Sequence, residues 1–202
     1  MPTAREALLD AAAASLALRA WSAVRMVDVA ATAGVSRQTL YNEFGSKEGL
    51  ARALVRREAD GFFAGVDRVL GERAGTDTDR LVGVAEWMVR AARADPLVRA
   101  LLTGCWPERL PSGRAARAAS APGAGAAQRR ADRGVPGAAD VVAEVRERVA
   151  AGVQGQWPVE MVVRVAVSWV VGPGQGGDVG EFLRGVLGKW GGGLGAGGTE
   201  GA

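Results

Sequence analysis

The sequence predicts an all-α protein. Apolar residues recur at intervals of three and four along most of the 202 residues, β-branched residues seldom alternate with polar ones, and Ser, Thr or Asp stand where apolar stripes begin. Thr3 and Glu6 have capping-box spacing and open a first helix to about Ala20, with Leu8, Leu9, Ala12 and Leu16 as its buried stripe. A short second helix, about 26–33, stops at Gly34; a third starts at Ser36, and Ser46 caps a fourth that runs to about Leu70. Further helices are expected over 79–94, 95–103, 138–151, 158–171 and 178–190, with Pro96 and Pro158 in first turns, where proline is tolerated. Residues 112–137, rich in Ala, Gly, Arg and Pro, read as a loop or frayed helix, and 191–202 as a flexible tail. The glycine clusters 172–177 and 191–198 follow no strand and lack a Walker lysine, so they do not read as phosphate loops.

Composition sets limits on chemistry. Hydrophobic residues make up 48% of the chain and charged residues 23%, a balance typical of globular proteins. There is no histidine, which removes Ser-His-Asp and Cys-His nucleophiles, histidine metal sites and histidine pH switches. Cys105 is the lone cysteine, so neither an internal disulfide nor a thiolate metal cage is available and a reducing, cytoplasmic setting is expected. No enzyme activity and no cofactor are expected. The start of the chain lacks the basic and apolar regions of a secretory signal. The most apolar run, 159–171, is too short for a bilayer and carries Glu160 and Arg164, so no membrane partner is expected.

Net charge is +3, but its distribution does not by itself mark a nucleic-acid surface. Residues 1–50 hold five basic side chains (Arg5, Arg19, Arg25, Arg37, Lys47) and five acidic ones (Glu6, Asp10, Asp28, Glu43, Glu48). The excess lies in 108–137, where six arginines face Glu108 and Asp132, and that stretch reads as a solvated loop rather than a DNA arm.

The informative stretch is 27–50. Val29, Ala30 and Ala33 give one short helix a small-residue face, Gly34 permits a positive-φ turn, and Leu40 with Phe44 pins the next helix against it. This is a helix-turn-helix pattern. Projected at 100° per residue, Leu40 and Phe44 fall on the core side, Gln38, Thr39 and Asn42 outward, and Arg37 and Tyr41 on a flank. The run Ala33-Gly34-Val35-Ser36 with Thr39-Leu40-Tyr41, Phe44 and Lys47 resembles the helix-turn-helix of the tetracycline-repressor (TetR) family, over roughly residues 3–50.

That resemblance implies N-terminal helices that bind double-stranded, palindromic operator DNA as a homodimer, and C-terminal helices that bind a small-molecule effector. It suggests Arg37 as a guanine reader and Gln38 as an adenine reader, with Asn42 on the same face. It suggests Thr39, Tyr41 and Lys47 as phosphate holders, and Ser36 as both a helix cap and a backbone contact. Two departures stand out. Val24 and Arg25 occupy positions where the family usually has a Ser or Thr cap, so Arg25 is expected to touch phosphate instead. Glu43 would repel DNA if it faced it, and is expected to pair with a neighbouring arginine.

The C-terminal helices carry a second signal. Over 158–171 the polar residues Glu160, Arg164 and Ser168 form one stripe at i, i+4, i+8, and two faces are left to bury. Over 178–190, Val179, Phe182, Leu183, Val186, Leu187 and Trp190 form a broad apolar stripe, with Gly185 and Gly188 for close approach. A four-helix homodimer interface is expected from these two helices, built on Met161, Val165, Trp169, Phe182, Val186 and Trp190. An effector pocket is expected among Phe62, Phe63, Trp87, Met88, Leu101, Cys105 and Trp106, for an apolar ligand. The expected organisation is a DNA-binding domain at 1–50, a ligand-binding and dimerisation domain at 51–190 and a tail. The expected function is a transcriptional repressor released by its effector, and the rival is a dimeric helical scaffold that has lost DNA binding.

Overall fold

The computed structural model describes residues 3–72, 75–111, 135–154, 157–172 and 178–193. Within these the chain is helical: α1 (Ala4–Leu18), a 3-10 turn (Trp21–Ala23), α2 (Met26–Thr32), α3 (Arg37–Phe44), α4 (Lys47–Gly71), α5 (Asp77–Ala94), α6 (Pro96–Thr103), α7 (Ala138–Gly152), α8 (Val159–Val171) and α9 (Val179–Gly193). No strand occurs among the described residues. The loop expected at 112–137 falls largely outside them, as do 194–202 of the expected tail, most of the two glycine clusters and the side chain of Trp190.

The chain divides into two compact units. One comprises Met1–Asp60 and Gly104–Gly137, the other Gly61–Thr103 and Ala138–Ala202, so the first division falls within α4.

In the first unit α1, α2 and α3 pack on one another around Leu8, Ala12, Val29, Leu40, Phe44, Leu50 and Leu54, all essentially without exposure. The capping box forms as its spacing predicts: Thr3 Oγ1 accepts from the Glu6 amide and the Glu6 carboxylate accepts from the Thr3 amide. Leu16 departs from the expected stripe and is only half-buried, because α1 ends at Leu18, short of Ala20, and its last turn leaves the core. The 3-10 turn was not foreseen; the Trp21 amide donates to the Arg109 carbonyl at 2.8 Å, which draws the indole inward.

In the second unit α5 is central. It packs on α6, α8 and α9, and Leu81, Val82, Val84, Ala85 and Met88 are buried together. The helix starts two residues earlier than its expected Asp79, because Thr76 and Asp79 form a second capping box. Its Trp87 lies against α4: the indole Nε1 donates to the Phe62 carbonyl at 3.1 Å. A Cβ on Gly65 would stand 2.1 Å from that ring. On α8, Val162, Val163, Ala166 and Val170 are buried while Met161, Val165 and Trp169 stay half-exposed. On α9, Val179, Leu183 and Leu187 are buried, whereas Phe182 is 47% exposed. The expected apolar stripe of α9 is thus divided, one half inside the unit and one half outside. Among the described residues nothing lies within 4 Å of where a Cβ on Gly185 or Gly188 would stand; the tight contact is at Gly180, where a Cβ would meet the Glu86 carboxylate.

Candidate nucleic-acid interface

The turn between α2 and α3 is built from backbone groups. The Gly34 amide donates to Ala31 and the Val35 amide to Ala30, both closing on Gly34 at φ +69°, the paired bonds of a Schellman helix end. Among the described residues nothing lies within 4 Å of the missing Cβ of Gly34, so the requirement for glycine is the dihedral itself. Ser36 then starts α3, its Oγ accepting from the Thr39 amide at 3.0 Å and contacting Thr39 Oγ1 at 2.9 Å. Gly45, φ +71°, ends the helix with its amide on the Tyr41 carbonyl. A second glycine cap at this point was not read from the sequence, although its place after Phe44 is the usual signal.

Between these caps the side chains sort as projected. Leu40 and Phe44 are buried; Ser36, Arg37, Gln38, Tyr41 and Asn42 are exposed and Thr39 is half-buried. Gln38 Nε2 donates to Asn42 Oδ1 at 2.8 Å, one turn on, which orients both amides and leaves Gln38 Oε1 and the Asn42 amide nitrogen for other partners. Arg37 has no ion pair or hydrogen bond among the described residues, so its guanidinium fork needs no release before meeting an acceptor.

The flanking charges are engaged. Glu43 pairs with Arg5 at 3.5 Å, as expected, and Arg5 also lies over the Phe44 ring. This turns the one carboxylate of α3 toward α1. Arg25, the N-cap of α2, makes no side-chain cap; its Nε and Nη2 donate to Asp28 at 3.0 and 3.3 Å. Lys47, at the first turn of α4, donates to the Ser22 carbonyl at 3.0 Å and stands 5.7 Å from the centre of the Trp21 ring. An ammonium has three N–H bonds, so this leaves donors for an anion at the same helix start, where the macrodipole also favours negative charge. Glu48 beside it is held below the usual carboxylate range, first by its own backbone N–H and then by the Ser46 hydroxyl.

The sequence profile of the bacterial regulatory proteins of the tetR family matches residues 8–54, which span α1 to the first turns of α4. The HTH-type transcriptional regulator AlkX of Mycobacterium tuberculosis is 45% identical over 101 residues, covering 50% of this chain and 47% of that protein. Over residues 8–54, the N-terminal helices of this chain match the tetR family. The chain spans about half the length of the curated regulator it matches. The crystal structure of the TetR family repressor AlkX from Dietzia sp. aligns with a TM-score of 0.52 at 24% identity, over 93% of this chain and 96% of that one. A tetR-family regulator from Streptomyces coelicolor aligns at 0.51 and 17% identity, over 94% of this chain and 80% of that one. These two likenesses carry the tetR-family fold past the helix-turn-helix into the C-terminal helices.

The other expected site residues are more scattered. Phe62, Met88 and Leu101 are buried in the second unit, and the Phe62 and Phe63 rings meet at 5.6 Å, tilted by 56°. Arg68 and Arg90 lie over Trp87 at 5.1 and 5.4 Å. Cys105, exposed, and Trp106, half-buried, fall in the first unit. The Trp169 and Phe182 rings meet at 5.1 Å, joining α8 to α9. Among the described residues no three His, Cys, Asp or Glu gather as a metal site, and no helix is long and apolar enough to cross a membrane.

Proposed function

We propose that the chain is a sequence-specific DNA-binding transcriptional regulator, a repressor that works as a homodimer and is released from a palindromic operator by a small apolar effector. The observation that carries this reading is the outward side of α3. It combines an unengaged Arg37, a pre-oriented Gln38–Asn42 pair and a carboxylate drawn away by Arg5, within a tetR-family helix-turn-helix. Arg37 reads a guanine edge, Gln38 and Asn42 read an adenine, and Ser36, Thr39, Tyr41 and Lys47 hold phosphates. Arg25 joins them only by exchanging part of its contact with Asp28.

The partner is a second copy. Met161, Val165 and Trp169 with Phe182 and Val186 form an apolar side left partly open among the described residues. The buried Trp169 Nε1 has no acceptor among the described residues, a deficit that a partner helix would relieve. Trp190, later in α9, is assigned to the same proposed interface. On B-DNA the two recognition helices would enter major grooves about 34–36 Å apart. α4 contributes to both units, and an effector in the second unit, beside Phe62, Phe63, Trp87, Met88 and Leu101, would act by altering its tilt. Selection of bound sequences from a random duplex pool tests the reading. A palindromic consensus with half-sites one helical turn apart is expected; an unenriched pool would return the chain to a helical scaffold.

A further inference from the structure

The polar stripe Glu160, Arg164 and Ser168 of α8 has no part in the reading above, yet it forms one wall of a cleft of about 550 Å³ between α6, α7 and α8. The other wall is the half-buried side of α7 that carries Ala138, Val142 and Arg146 at i, i+4, i+8, next to the stripe of that helix's buried Val141, Val145 and Val149. The two walls differ end to end. At one end Arg146 and Arg164 both donate to the single Glu160 carboxylate, Arg146 at 2.6 Å, leaving an excess positive charge at a cluster that is less than half exposed on Arg146 and Glu160. At the other end Leu102, Ala138, Ala139 and Val167 offer apolar surface. Eight residues of α7 separate the ends, about 12 Å of helix.

We propose that this cleft binds an amphipathic carboxylate, with its head on Arg146 and Arg164 and its apolar body along Ala138, Val142 and Val167. Charge complementarity selects the head, because two planar guanidinium forks match carboxylate geometry and, among the described residues that line the cleft, Glu160 alone offers them a carboxylate. The alanines select the body, because residues 138, 139 and 143 leave room for a single unbranched chain where larger side chains would close the cleft. Glu160 acts as the resident competitor; it keeps the two guanidiniums converged until the ligand head joins or displaces it. The proposal does not depend on DNA binding, and its test uses no duplex.

The test is isothermal titration of the full chain with decanoate, decan-1-ol and decyltrimethylammonium. Decanoate is expected to bind once per chain, and the other two at least about ten-fold more weakly. Arg164→Gln and Arg146→Gln are each expected to weaken decanoate by about ten-fold with little change in thermal midpoint, since both side chains are surface groups. Glu160→Gln should tighten it several-fold by removing the competitor. Ala143→Leu, which keeps a good helix former and fills the cleft, should weaken it without altering the preference for the anion. Equal affinity for decanoate and decan-1-ol, or unchanged decanoate binding by the double arginine variant, would overturn the proposal. So would decanoate binding that disappears as the chain self-associates, which would give the cleft to a second copy.

Discussion

Arg37 and Lys47 illustrate two different uses of positive charge. Arg37 is exposed and unengaged among the described residues, so its loss should act on sequence preference: Arg37→Ala is expected to remove about 1–3 kcal/mol of discrimination at one base pair. Competition between the selected duplex and its single-base variants measures this, and equal losses on every duplex would reassign the residue to phosphate. Lys47 is held to Ser22 and Trp21 and meets an anion only through its remaining donors. Lys47→Ala should weaken all duplexes alike and reduce the log–log salt slope by about 0.9. Titrations across a salt series distinguish the two outcomes. Which side of α3 faces out was legible because the turn fixes it; the engagement of Arg25 with Asp28 was not, since the pair forms only once α2 is in place.

At the scale of elements, the helix starts were the most legible feature. Thr3, Ser36 and Ser46 accept backbone amides as their spacing predicts, because an N-cap is a local contact that needs no tertiary partner. Ser36→Ala should therefore cost about 1 kcal/mol, measured by urea unfolding. Thr76 was missed because Asp79 offered a nearer acidic start. The α5 capping box lowers the Asp79 carboxyl below the usual range, through the Thr76 amide first and its hydroxyl second. A carboxyl so depressed stabilises the fold above its unfolded-state value, and that stability is lost as pH falls through the lower, folded-state value. Asp79→Asn should reduce stability at pH 7 and converge with the parent in strong acid. Urea midpoints at the two pH values check it, and a constant gap would mean that the box contributes through shape alone. The stripe of α9 was only half legible: periodicity marks which residues are apolar, and cannot say that Leu183 would turn inward while Phe182 stayed out.

For the whole molecule, the exposed apolar side of α8 and α9 carries the proposed assembly. Phe182→Glu is expected to leave each chain folded, since Phe182 is about half exposed already, and to halve the mass in sedimentation. A monomer would keep weak contact with one half-site and lose the affinity gained from two linked ones, which can reach about 10²–10⁴. An unchanged mass for this variant would place the dimer elsewhere. The uncovered apolar side was legible as a surplus of apolar residues over what one chain can bury. The cleft between α7 and α8 was not, because it arises where two separate stripes meet, and the sequence showed only the Glu160, Arg164, Ser168 one.

The contact of Gly65 with Trp87 ties the histories of two positions together. A ring fixed by its bond to Phe62 and flanked by Arg68 and Arg90 has little room to yield to even one methyl group. In any lineage that descends from this sequence, a larger residue at 65 becomes acceptable only after the indole at 87 has been replaced, so mutations at the two sites would be fixed in that order and seldom in the reverse.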